Sequence, residues 1–149
     1  MRKGPLLVAL QFLLLAALAL APGSTSVGII QKAFGVFIFL AGLIGLLRAA
    51  RDLGSALTPL PESKDGASFI TSGLYKFVRH PIYSFLLLIS TGVLLFKNSP
   101  EALIAILGLV VLLNIKYRYE DKILVAKWPE AENYQATVPA LIPRVRKRN

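Results

Sequence analysis

The sequence predicts an all-α integral membrane protein of about four transmembrane helices, arranged as two antiparallel hairpins. Three observations carry that prediction. The chain has 149 residues and is 55% hydrophobic, and its apolar residues stand in blocks, where a soluble domain of this size would interleave them with polar ones. Four stretches carry no charged side chain when the histidine is neutral: 5–21, 33–47, 80–96 and 102–115. A hydrocarbon core about 30 Å thick is crossed by roughly 20 helical residues, and each stretch reaches that length with its flanks. Finally, the net charge of +9 comes from 17 Lys and Arg against 8 Asp and Glu, gathered between the blocks. That placement reads as membrane-interface clusters and argues against nucleic acid as a partner.

The first span covers about 5–22, with Gln11 as its only polar break. Its basic start, apolar core and Ala-x-Ala ending also fit a secretory signal peptide. The apolar run is longer than the usual signal core and lacks a polar region before a cleavage site, so a retained span is the preferred reading. The loop Pro22-Gly23-Ser24-Thr25-Ser26 is very short and pairs this span with the second, 28–50, as a hairpin. Gly35, Gly42 and Gly45 let that second helix approach a neighbour closely, which is read as tight packing and not as a dimer motif. A polar loop, 51–79, follows, punctuated by Pro59, Pro61, Gly66 and Gly73.

The third span, 80–97, has Pro81 where a first helical residue belongs, which puts His80 at its cap. Asn98-Ser99-Pro100 turns the chain into the fourth span, 100–119, with Pro100 and Glu101 suited to a first turn. A charged helical extension, 116–127, then leads through "WPEAENY" to a basic end, so that 120–149 forms a carboxyl-terminal tail. The whole, 1–149, reads as one domain. With the amino terminus inside, only Lys32 and Lys97 of the 17 basic residues fall outside. The positive-inside rule therefore puts both termini, the 51–79 loop and the tail in the cytoplasm.

Chemistry is expected where polar residues abut the spans. Tyr75, Arg79, His80 and Tyr83 form one such group. A helix N-terminus beside Arg79 favours an anion, although Arg and Tyr also serve as headgroup anchors. Lys116 and Glu120 belong to the second, "NIKYRYEDKIL", and share a helix face. Lys preceding Glu is the weaker order for an i,i+4 pair, and Arg118/Lys122 is a like-charge pair, so helix stabilisation alone explains this stretch poorly. With no cysteine, disulfides, thiolate metal sites and a cysteine nucleophile are excluded. A single histidine argues against a catalytic zinc, and no metal is expected.

Several ordered motifs resemble the isoprenylcysteine carboxyl methyltransferase and phospholipid methyltransferase superfamily. They are Leu57-Thr58-Pro59, Thr71-Ser72-Gly73-Leu74-Tyr75 and Val78-Arg79-His80-Pro81-Ile82-Tyr83. Downstream, Lys116, Glu120-Asp121 and Leu124 are similar to the family's basic residue, acidic pair and leucine. Trp128, Tyr134 and Val138-Pro139-Ala140-Leu141-Ile142-Pro143 resemble its ending. The likeness spans about 53–145. Three departures stand out: Ala140 where arginine is usual, Phe85 where a glycine often follows, and Lys116 where arginine is common. They imply a looser tail contact, a narrower cleft and a point charge in place of a bidentate clamp.

The resemblance implies methyl transfer from S-adenosylmethionine to a lipophilic acceptor at the cytoplasmic face, most like isoprenylcysteine carboxyl O-methylation. It implies cofactor contacts from Arg79, His80 and Tyr83, with Tyr75 and Tyr134 as supporting wall. Lys116 would orient the acceptor, while Glu120 would meet the cofactor's cationic part or fix Lys116. Both are expected just above the membrane. The alternatives are a phospholipid amine or small-thiol methyltransferase, and a non-catalytic protein keeping the fold.

Overall fold

The computed structural model describes residues 3–60, 66 and 68–144. All regular structure among them is helical: α1 (Lys3–Leu20), α2 (Ile29–Leu53), α3 (Pro81–Lys97), α4 (Pro100–Lys127) and α5 (Glu130–Thr137), with 3-10 turns at Gly54–Ala56 and Gly73–Lys76. Pro61 of the expected loop lies outside the described residues. Three helices, α1, α2 and α4, are long and apolar enough to cross a membrane, and α3 is a shorter apolar helix of 17 residues. The charged extension continues α4 without a break, as its composition suggested.

Local chemistry sets the boundaries. The Ser99 hydroxyl accepts from the Ala102 N–H at 3.3 Å, and Pro100 and Glu101 occupy the first turn of α4, where a proline loses no hydrogen bond and an acid meets the positive helix end. His80 occupies the cap position of α3 with Pro81 behind it, but its side chain makes no capping bond. Asn98 ends α3 in the left-handed region, φ 48°, a conformation Asn tolerates better than most residues.

Of the two expected hairpins, α3 and α4 pack on each other, whereas α1 and α2 make little contact. Although α1 and α2 are joined by a short turn, α2 packs chiefly on α3 and α1 on α4, with α3 also touching α4 and α1. The reason lies in the small residues. A Cβ on Gly35 would stand 2.8 Å from the Gly92 carbonyl oxygen, and one on Gly92 would stand 2.6 Å from the Gly35 oxygen. Backbones that touch in this way gain dispersion contacts, the main force between helices in lipid. The glycines of α2 therefore serve tight packing, against α3 of the same chain. Phe85 belongs to this seam: its ring fills the space beside Gly45, so it does not narrow the cleft.

One end of the bundle gathers the two short turns. Lys97 Nζ donates to the carbonyls of Ala19 and Ala21, and the Ser24 N–H donates to the Lys97 carbonyl at 2.7 Å. The opposite end holds the described residues of the 54–80 segment and of the tail, and there the polar residues converge.

Candidate active site

Two devices build this end. The loop is tied to α2 through Asp52, whose carboxylate pairs with Arg48 at 3.0 Å and accepts from the Leu74 N–H at 2.8 Å. Gly73 makes the approach possible: its φ is +59°, and a Cβ there would lie 2.3 Å from the Asp52 carboxylate. The tail is then strapped across the start of α3. The N–H groups of Arg79 and His80 donate to the carbonyls of Pro139 (2.9 Å) and Ala140 (3.0 Å), and the Ser84 hydroxyl donates to the Leu141 carbonyl at 2.6 Å. These bonds use main-chain oxygens and so do not depend on the side chain at position 140. They also occupy amides just ahead of α3 that the sequence offered to an anion.

Arg79 and His80 meet a pair of acids on α4. Arg79 Nη2 bonds Asp121 Oδ2 at 2.8 Å, while its Nη1 donates to the carbonyls of Gln135 and Val138 at 2.9 and 2.6 Å. His80, 7% exposed, faces a carboxylate with each ring nitrogen: Nε2 to Asp121 Oδ1 at 2.9 Å and Nδ1 to Glu120 Oε2 at 3.3 Å. Two ring nitrogens can both donate only in the imidazolium form, and two carboxylates suit that form. The Tyr83 hydroxyl donates to Glu120 Oε1, and the Tyr83 ring stacks on His80 with centroids 5.6 Å apart.

Lys116, one helical turn before Glu120, is 2% exposed. Its Nζ donates to Gln11 Oε1 at 2.8 Å and to the Pro59 carbonyl at 3.0 Å, and it lies 5.0 Å from the Tyr83 ring centre. Glu120 is thus not what fixes Lys116; it is engaged by Tyr83 and His80. Lys116 meets α1 at Gln11, near the middle of that helix and not at its end. Arg118 bonds Asn114 at 2.8 Å on the exposed face and stands apart.

A cavity of about 470 Å³ opens among these groups, within the range of small-ligand sites of roughly 300–1,000 Å³. Tyr75, Arg79, His80, Tyr83, Lys116, Glu120 and Tyr134 all line it, so residues spread over sixty positions of sequence share one wall. The Tyr134 hydroxyl donates to the Tyr75 carbonyl, joining α5 to the loop. Phe69 completes an aromatic face, stacked on Trp128 with centroids 5.6 Å apart and edge-on to Tyr134 at 5.4 Å. Burial pushes the Tyr134 phenol up to about 12, and burial with the neighbouring Tyr134 and Glu120 raises Tyr75 further. Both therefore stay neutral at physiological pH and serve as hydrogen-bond donors or apolar walls, not bases.

Two participants escaped the sequence reading. Asp121 was visible only as half of an acidic pair, yet it neutralises both Arg79 and His80. The signal was the complementarity of two adjacent bases at one span end and two adjacent acids at another. Gln11 stood out as a polar break in an apolar block, which in lipid calls for a partner.

Comparison with curated proteins finds no match. The family model described as phospholipid methyltransferase matches residues 30–131, covering α2, the loop with the Arg79-His80 motif, α3 and α4 with its acidic pair. Matched over most of its length, this all-helical chain belongs to the phospholipid methyltransferase family, within the superfamily of integral membrane methyltransferases.

Proposed function

We propose that the protein transfers a methyl group from S-adenosylmethionine to a lipophilic acceptor at the cytoplasmic membrane face, most like the carboxyl O-methylation of isoprenylcysteine. The observation that carries this reading is the shared cavity, where residues of the recognised motifs from Leu57 to Tyr134 face one space. Its residues fit the cofactor by their chemistry. Glu120 supplies a negative charge for a cationic group. Arg79 carries an Nε that is buried without a partner among the described residues, a donor suited to a carboxylate. Phe69, Trp128 and Tyr134 line the cavity with aromatic rings against which a heteroaromatic ring can stack or pack edge-on.

When bound, S-adenosylmethionine supplies an electrophilic methyl group on a sulfonium. The protein's part is positioning and exclusion of water, since an in-line displacement needs no covalent protein intermediate. His80 and Tyr83 hold Glu120 in place from two sides, Asp121 holds Arg79 and His80, and Lys116 faces the acceptor's polar end. The family description favours a second reading, an amine of a phospholipid headgroup as acceptor. Glu120 would then take the amine's proton, with Lys116 one turn away on the headgroup's phosphate.

Labelled methyl transfer, run beside a cofactor titration on detergent-purified protein, tests the assignment. Lys116→Ala should depress turnover at least tenfold while cofactor affinity stays near normal, and Lys116→Arg should retain activity. Glu120→Gln keeps the shape and removes the charge, so it should impair transfer strongly and weaken the cofactor. Full turnover in both Lys116→Ala and Glu120→Gln would remove these two residues from the chemistry. Absence of saturable cofactor binding to the unmodified protein would leave only the non-catalytic reading.

A further inference from the structure

We propose that Gln11 of α1 is a positioning residue for the methyl acceptor, setting Lys116 to take an oxyanion at the acceptor's polar end. The proposal rests on the methyltransferase reading above. Gln11 lies outside the residues matched by the family model, 30–131, and breaks an otherwise apolar block. An amide in such a helix costs free energy unless its groups are bonded. Its Oε1 accepts from Lys116 Nζ, which also donates to the Pro59 carbonyl. Three parts of the chain thus meet on one buried nitrogen: α1, α4 and the segment after the Gly54–Ala56 turn.

What this junction leaves open points to the ligand. An ammonium has three N–H donors, and two are taken by neutral oxygens. Arg79 and His80 each contact a carboxylate; Lys116 has none within ion-pair distance among the described residues. Glu120, one turn away, acts on Lys116 from beyond ion-pair distance and is itself engaged by His80 and Tyr83. A buried cation whose direct partners are all neutral is incompletely compensated, and this one lines the cavity. An anionic group entering the cavity completes it. Phe12 and Leu15, beside Gln11 on α1, line the same space and give an alkyl chain an apolar bed. The chemistry that fits is an amphiphile ending in a carboxylate or a phosphate.

The test uses the full chain in nanodiscs of zwitterionic lipid. Trp128, the only tryptophan, lines the cavity and reports binding by its fluorescence. Dodecanoate, dodecyl phosphate and dodecylamine are titrated as probes. The unmodified protein should bind at least one anion saturably and at least tenfold more tightly than the amine, and the tighter anion separates carboxylate from phosphate. Gln11→Glu places a competing carboxylate on Lys116. It should lower anion affinity at least tenfold while thermal stability is kept or raised, whereas a purely structural role for Gln11 predicts no loss. Gln11→Met keeps the length, removes the oxygen and should lower anion affinity severalfold. Equal affinity for anions and amine, or unchanged anion affinity in either variant, would overturn the proposal. Cofactor binding and labelled methyl transfer are read on the same preparations. Turnover without anion preference sinks the role of Gln11 alone; anion binding without cofactor binding sinks the methyltransferase reading, and with it the acceptor role of the anion.

Discussion

At the scale of single residues, the site is a charge cluster whose members hold one another. Asp121 is its keystone, bonded to Arg79 at 2.8 Å and to His80 at 2.9 Å, with Arg79 in turn holding the tail carbonyls. Removing one partner of a buried pair strands the other charge, at a cost of about 3–5 kcal/mol. Asp121→Ala should therefore lower the thermal unfolding midpoint in detergent well below that of Glu130→Ala, an exposed control on α5; equal midpoints would show that the cluster adds nothing. His80 commits both ring nitrogens to Glu120 and Asp121, so His80→Ala acts through Glu120. It should weaken S-adenosylmethionine binding about ten- to hundredfold, the worth of one charge-assisted hydrogen bond of roughly 1.5–3 kcal/mol lost where Glu120 is held, and calorimetric titration measures it. Unchanged affinity would reduce His80 to a brace for the two acids. The sequence brought Arg79, His80, Lys116 and Glu120 into view because they abut apolar blocks. It hid their true partners, because helix spacing relates Lys116 to Glu120 on one element, while Gln11 and Asp121 are chosen across elements. No periodicity records that choice.

At the scale of elements, each block of hydropathy coincides with one helix, since a layer about 30 Å thick demands long apolar runs, although α4 runs on to Lys127, past the apolar block, as one helix with the charged extension. Pairing was less legible. Short turns suggested neighbours in sequence, but the contact that binds α2 most closely is to α3, where Gly35 and Gly92 face each other. Glycines announce a close seam without saying which rotation of the helix presents them. Gly92→Val would drive a side chain into main-chain atoms of Gly35 and Phe39, within 2.6 Å of its Cβ. Backbone cannot step aside as a side chain can, so a loss at the upper end of the usual 1–3 kcal/mol for overpacking is expected. Gly108→Ala is the matched control: its Cβ would meet only the end of the Leu14 side chain, at 3.0 Å. Thermal unfolding of the two variants should separate clearly. If Gly92→Val proved as stable as Gly108→Ala, the α2–α3 seam would not be the tight contact described here.

At the scale of the whole molecule, the two ends of the bundle differ in kind, and the difference bears on orientation. The Ser24–Lys97 bond places the two short turns together, so any membrane arrangement of this fold puts them on the same side. The bonds from Arg79 and His80 to Pro139 and Ala140 place the loop and tail together at the other. Charge then gives the expected side: of the basic residues among those described, only Lys32 and Lys97 belong to the turn end, and since basic segments are usually retained in the cytoplasm, the loop and tail are expected there. The absence of cysteine makes this directly testable. Single cysteines at Ser26, at Ser63 (outside the described residues) and at Glu101 would be treated in intact cells with a membrane-impermeant maleimide. Glu101 is preferred to Asn98, whose φ of 48° disfavours a cysteine. Ser26 and Glu101 should label and Ser63 should not, until the membrane is permeabilised. Labelling at Ser63 alone would invert the topology and turn the cavity away from the cytoplasm. Labelling at only one of Ser26 and Glu101 would break the shared turn end itself, and α3 would then not run from one end of the bundle to the other.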